Sequence, residues 1–179
     1  MIQKKVCMVG VHGTGKTSLV QLYVHSIFSV KYHSTVGVKI DRKLVQLGNT
    51  AVNLLLWDIE GRSSEQDVPA SYLRGAHAVF FVVDGTRRET LEQLFDLSEQ
   101  TSSVTGDIPS IVALNKADLK DQWALAAADS KRLLASGFHA LKTSAKTGDG
   151  VEDAFIWLAQ AAVKASLAPD SQAKVHHEN

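Results

Sequence analysis

Gly10-Val11-His12-Gly13-Thr14-Gly15-Lys16-Thr17 fits the pattern G-x-x-x-x-G-K-[ST] at every fixed position. A chance match is on the order of one in tens of thousands per register at average composition. The stretch before it, Val6-Cys7-Met8-Val9, reads as a buried strand. After it, Leu19, Leu22, Tyr23, Ser26 and Ile27 fall at i, i+3, i+4, i+7 and i+8, the period of a helix with one apolar face. The motif therefore sits at a strand-to-helix junction. Glycines there let successive N–H groups turn inward, and the helix N-terminus adds its dipole, so the junction suits a polyphosphate. Gly10, Gly13, Thr14, Gly15, Lys16, Thr17 and Ser18 are its nucleotide-binding candidates. Lys16 would reach the β- and γ-phosphates, and the Thr17 hydroxyl would hold Mg²⁺.

The 179 residues suit one domain with a full core. Nineteen basic residues balance nineteen acidic ones, so no global field attracts nucleic acid or an anionic membrane. A single cysteine, Cys7, lies in an apolar run and reads as a buried, inert thiol. The seven histidines lack the spacing of a structural zinc site. The sequence enters its first strand without a signal peptide, has no apolar run of membrane-spanning length, and carries no cysteine at its end to prenylate. A soluble, cytoplasmic, monomeric protein without a lipid anchor is the expectation.

Strand-like and helix-like segments alternate along the chain. Residues 28–37 read as a loop. Two extended runs, 38–47 and 51–57, are joined by the hairpin signal Gly48-Asn49-Thr50. Residues 58–75 read as irregular, 78–83 as a strand covered on both faces, and Leu91, Leu94, Phe95 and Ser98 mark a helix. Residues 111–114 predict a strand, 123–135 a helix by Ala and Leu propensity, and 138–141 a strand. Val151, Ala154, Phe155, Leu158 and Ala162 mark a last amphipathic helix. This is the alternation of an α/β domain over 1–167: a mostly parallel six-stranded sheet with helices on both faces, followed by a disordered tail, 168–179. Ligands bind such sheets beyond the carboxyl ends of the strands.

Three more short signals fall at such ends. In Trp57-Asp58-Ile59-Glu60-Gly61, the carboxylate of Asp58 can hold Mg²⁺ directly or through water, and Gly61 lets its N–H approach a γ-phosphate. In Asn115-Lys116-Ala117-Asp118, Asp118 can accept from both N1–H and the 2-amino group of guanine. Adenine has neither, and leaving that acceptor unpaired costs roughly 1–3 kcal/mol, more when charged. In Thr143-Ser144-Ala145-Lys146, a backbone N–H could meet the guanine O6.

Together, in this order, the four motifs resemble the small GTPases of the Ras superfamily, nearest to the Rab-like branch. The likeness runs from Lys4 to about Leu167 and includes Tyr32-His33-Ser34-Thr35-Val36-Gly37 and Tyr72-Leu73-Arg74-Gly75-Ala76. It implies a P-loop G domain that binds GTP or GDP with Mg²⁺. Thr35 is similar to the threonine whose hydroxyl joins the metal in the first switch loop, and Phe28 to the aromatic packed edge-on to guanine. Lys116 and Lys146 would lay their stems along the base, beside Asn115, Asp118, Ser144 and Ala145. Trp57 and Tyr72 resemble aromatics presented between the switches. The metal set implied is Thr17, Thr35 and Asp58. Implied partners are an effector protein that reads the nucleotide state, an exchange factor and an activating protein.

Two positions depart from the family in ways that bear on hydrolysis. Gly61 is followed by Arg62 where the family carries a water-orienting Gln, and His12 stands where hydrolytic members carry Gly. Ile59-Glu60 also replaces a small Thr-Ala pair. The leading expectation is a GTP-dependent switch with slow hydrolysis, with Gly61 and Arg62 as catalytic candidates. The alternative is a GTP-binding scaffold that hydrolyses little or nothing. A P-loop small-molecule kinase would need a lid and acceptor pocket for which the chain has no spare segment. Arg has five donors and no acceptor, so it cannot orient water as Gln does, but it can neutralise phosphate charge. With Arg62 facing solvent, single-turnover hydrolysis should lie at or below the roughly 10⁻⁴ s⁻¹ scale of an unaided Ras-type domain. Arg62→Ala should then change little, and Arg62→Gln with His12→Gly should raise the rate. A fast parent, slowed tenfold or more by Arg62→Ala, would put Arg62 on the γ-phosphate instead.

Overall fold

The computed structural model describes residues 2–29, 34–61 and 67–167. Six strands form one sheet: β1 (Ile2–Val9), β2 (Val38–Leu47), β3 (Thr50–Ile59), β4 (Ala78–Asp84), β5 (Ser110–Asn115) and β6 (His139–Lys142). Their spatial order is β2-β3-β1-β4-β5-β6. Only β2 runs antiparallel, against β3; every other neighbouring pair is parallel. The parallel order requires crossovers, and α2 (Ala70–Leu73), α3 (Glu89–Thr105) and α4 (Ala127–Ala135) lie on those from β3 to β4, β4 to β5 and β5 to β6; α1 (Lys16–His25) joins β1 to β2, and α5 (Val151–Leu167) follows β6.

Because side chains alternate across a strand, β1 feeds two cores at once. Val6 and Met8 face Leu19, Val20 and Tyr23 of α1 and Phe155 and Leu158 of α5. Cys7 and Val9 face Leu73 of α2, Leu91, Leu94 and Leu97 of α3 and Leu133 of α4. The α/β expectation with helices on both faces holds. β4 is buried along its whole length, which is why it reads as an unbroken apolar run rather than an alternating one.

Four boundaries differ from the sequence reading. β1 begins at Ile2 because Ile2 to Lys5 pair with Val52 to Leu55; the polar Gln3, Lys4 and Lys5 hid the extension. Helix α1 stops at His25, before Ile27. Ser26 adopts a left-handed conformation (φ 57°), and its N–H bonds back to Leu22 O at 2.9 Å, the 5→1 closure of a left-handed helix end. The third correction concerns 123–135. Only Ala127–Ala135 is α-helical, after a 3₁₀ turn at Lys120–Gln122. Trp123 is extended (ψ 117°), Ala124 N–H donates to Gly85 O at 2.8 Å, and the helix starts where Asp129 accepts from Ala126 N–H at 2.8 Å. That tertiary anchor overrides helix propensity, and Trp123 does not lie on a helix. Fourth, the irregular stretch 58–75 contains the short helix α2. Arg62 and the tail 168–179 lie outside the described residues.

The larger core is locked by Phe155, which stacks on Tyr23 (centroids 4.0 Å, planes 8° apart) and meets Phe80 at 4.5 Å. Phe155 is fully buried. Phe155→Ala should therefore cost about 3–5 kcal/mol, measured as a drop in the urea midpoint at unchanged m-value.

Candidate functional site

The loop between β1 and α1 is shaped by the position of its neighbours. Gly15 caps α1 at φ 101°, a conformation that L side chains rarely adopt, and a Cβ there would collide with Asn115 Nδ2. Lys16, almost fully buried, folds back so that Nζ donates to Gly10 O at 2.9 Å and Val11 O at 3.1 Å. Burial pulls its pKa down to about 8; Asp58 opposes that shift and Arg87 adds to it. Thr14 Oγ1 closes the loop on Val11 O at 3.1 Å.

Three oxygens from separate elements converge beside Lys16. Thr17 Oγ1 lies 2.6 Å from Asp58 Oδ2 and 2.6 Å from Thr35 Oγ1, and Thr35 Oγ1 lies 3.4 Å from Asp58 Oδ2. Asp58 is at the end of β3 and buried, and its Oδ1 has no hydrogen-bond partner among the described residues. Burial pushes its pKa up, against the Thr17 hydrogen bond and the charge of Lys16. A buried carboxylate with an orphaned oxygen and two hydroxyls beside it is an all-oxygen donor set, which fits a hard cation such as Mg²⁺. Gly61 closes this side. A Cβ on it would lie 2.6 Å from His12 Cα and 2.7 Å from Lys16 Nζ, so only glycine brings the backbone this near the loop.

The other half of the site is built on β5 and the loop after β6. Asn115 Nδ2 donates to Thr14 O at 3.0 Å, and its Oδ1 accepts from Ala145 N–H at 3.3 Å and Thr143 Oγ1 at 3.2 Å. Asp118 accepts from Ser144 Oγ at 2.7 Å. Ser144 Oγ in turn receives Lys146 N–H at 3.2 Å and Thr147 N–H at 3.1 Å. Lys116 sits at φ 67°, a rare conformation for a side-chain-bearing residue.

Both halves line one cavity of about 550 Å³. Its wall carries Gly13, Gly15, Lys16, Thr17, Ser18, Phe28, Thr35, Gly61, Asn115, Lys116, Asp118, Ala145 and Lys146. Gly10, Thr14, Asp58 and Ser144 stand behind that wall and support it through the contacts above. Of the candidate residues only Arg62 lies outside the described residues.

Sequence reading missed Asp84 and Arg87. Asp84 ends β4 and is fully buried. Its Oδ2 receives Lys116 Nζ at 2.6 Å and Arg87 Nε at 2.9 Å, and its Oδ1 receives Thr86 Oγ1 at 2.7 Å. Arg87 Nη2 continues to His12 O at 2.9 Å, so one carboxylate links Lys116 to the loop between β1 and α1. The signal was the same as for Asp58, an acid directly after a buried strand. Burial pushes the Asp84 pKa up, but the hydrogen bonds from Lys116, Thr86 and Arg87 outweigh it and hold the group below its ordinary value. Asp84 thus contributes stability above its unfolded pKa of about 3.9, lost as pH falls through the lower folded value. Its two cations are partly exposed, so Asp84→Ala should cost about 2 kcal/mol, below the roughly 3–5 of a fully buried pair. Urea unfolding between pH 7 and pH 3 should show Asp84→Asn losing that part of the acid dependence.

Among the described residues no helix is long and apolar enough to cross a membrane. A family model described as the Ras family matches residues 5–164. The chain is 31% identical over 160 residues to Ras-related protein Rab-1 of Theileria annulata, covering 88% of this chain and 73% of the relative. It is 31% identical over 154 residues to Ras-related protein Rab-4 of Dictyostelium discoideum (85% and 75% covered). Against Ras-related protein Rab-4B of Homo sapiens it is 32% identical over 154 residues (85% and 72% covered). The sheet order, the phosphate loop and this span of likeness agree: the chain belongs to the Ras family and is a Rab-like small GTPase.

Proposed function

We propose that this GTP-binding switch works with Mg²⁺, hydrolyses GTP slowly, and signals through the two loops 28–37 and 58–75. The observation that carries the reading is one cavity lined both by Lys16 and Thr17 and by Asp118 and Lys146, a span that suits a guanine nucleotide from phosphate to base. Lys16, the loop N–H groups and the dipole of α1 bind the phosphates. Thr17, Thr35 and Asp58 would hold Mg²⁺, which when bound neutralises phosphate charge. Asp118, fixed by Ser144, reads the two donors on the guanine edge, and Phe28, Lys116 and Lys146 bracket the base. Loss of the third phosphate would weaken the hold on Thr35 and Gly61 and release both loops.

An effector that reads the ordered loops would meet the outer face of β2 and β3. Ile40 and Leu44 are exposed there, with Ile40 opposite Trp57 in the ladder. An exchange factor and an activating protein complete the cycle, in a cytoplasmic monomer of which 1–167 is the G domain. Membrane anchoring by lipid and nucleic-acid binding play no part in this reading. The second reading, a GTP-binding scaffold with little or no hydrolysis, draws on Arg62 in place of Gln. Gly61 and Arg62 remain the catalytic candidates.

Competition against fluorescent GDP tests the reading. GTP and GDP should displace it at least 100-fold better than ATP, and Asp118→Asn should shift preference toward xanthine nucleotide, whose 2-oxo group accepts where guanine donates. Equal binding of ATP and GTP by the parent would exclude it.

A further inference from the structure

In the antiparallel ladder of β2 and β3, Val38 faces Ile59, so the next rung sets Gly37 against Glu60. Half of this rung is an ordinary main-chain bond, Glu60 N–H to Gly37 O at 2.8 Å. The other half is not. Gly37 N–H donates to Glu60 Oε2 at 3.0 Å, so a side-chain carboxylate stands where a regular rung uses a main-chain carbonyl. A charged acceptor gives the stronger class of hydrogen bond, and both residues are only partly exposed, which limits competition from water.

The rung lies between the moving parts of the site. Two residues before Gly37 is Thr35, whose hydroxyl is 2.6 Å from that of Thr17. One residue after Glu60 is Gly61, packed on His12 and Lys16. Between Thr35 and the rung, Val36 is 87% exposed and adds no burial to hold the loop. We infer that Glu60 is a positioning residue. Through the Gly37 N–H it helps to keep Thr35 over the Thr17–Asp58 oxygens without calling on a third phosphate, so that residues 35–37 retain part of their order when that phosphate is lost and its hold on the loop goes. The nucleotide-state part of this inference rests on the function proposed above. A hold that belongs to the protein stabilises this placement of Thr35 in both nucleotide states. It raises the fraction with Thr35 so placed most where no γ-phosphate contributes.

Hydrogen exchange at the amides of residues 35–38 tests this in the full chain. The forms compared are nucleotide-free, GDP with Mg²⁺, and a non-hydrolysable GTP analogue with Mg²⁺. Glu60→Gln keeps an acceptor oxygen at the same reach, and Glu60→Ala has none. Glu60→Ala should speed exchange about tenfold or more in the nucleotide-free and GDP forms, and less than about threefold with the analogue. A tenfold change corresponds to about 1.4 kcal/mol. Glu60→Gln should stay within about threefold of the parent throughout. The proposal is overturned if Glu60→Ala matches the parent in the GDP form. It is equally overturned if Glu60→Gln exchanges as fast as Glu60→Ala, or if acceleration is equal in all forms and spreads to β4. Should Glu60→Ala fail to fold, Glu60→Asp, one methylene short of the Gly37 N–H, carries the same expectation. A parent that binds neither GDP nor the analogue would refute the proposed function, and the nucleotide-free comparison would still decide the role of Glu60.

Discussion

The site depends on one buried amide. Asn115 has both a donor and an acceptor to satisfy away from water, and a buried polar group left unpaired costs more than a made bond returns. Its NH₂ finds Thr14 O, and its oxygen finds Ala145 N–H and Thr143 Oγ1. Those three partners belong to the phosphate loop and to the last loop of the site. The need to satisfy one side chain therefore ties the loop between β1 and α1 to the loop after β6. Lys116, Asp118 and Ser144 then take their places around an already defined frame.

Charge is distributed over that frame so that each buried ion has a reason to stay. Asp84 is surrounded by donors whose hydrogen bonds outweigh its burial and hold its pKa below the ordinary carboxylate value. Asp58 and Lys16 are different: burial strains both toward their neutral forms, and each eases the other. Asp58 also keeps one oxygen without a partner among the described residues. A network that is complete at Asp84 and incomplete at Asp58 sets the two apart, because only the second has an oxygen still to be satisfied.

The legible parts of this chain were those where local pattern and tertiary demand coincide. β4 was visible because both of its faces are covered, and the phosphate loop because its fixed residues are each required by backbone shape or charge. Trp123 was misplaced because an Ala- and Leu-rich stretch favours a helix while a single bond to Gly85 O forbids it. The end of α1 was hidden because Ser26 takes a left-handed conformation that its identity does not announce. Asp84 carried no motif beyond an acid after a strand, and its importance lies in partners at positions 86, 87 and 116. The Glu60 side chain was visible as an anomaly, but its acceptor role follows only from the register of β2 against β3. Local sequence could reveal the components of the site; the contacts between distant components belong to the fold.

The bond from Asn115 to Thr14 spans 101 residues, and that from Ala145 to Asn115 a further 30. Contacts of such separation carry a loop-closure cost that local helix formation does not, and they form late. The loop 10–17 leaves the ribosome early, yet the amide that frames it and the loop that completes it are made more than a hundred residues afterwards. A nascent chain therefore has the phosphate-binding motif long before it has a nucleotide site. Ligand stabilisation reaches only chains synthesised past the final loop, and the interval before that is one in which the strands of the sheet must hold together on their own packing.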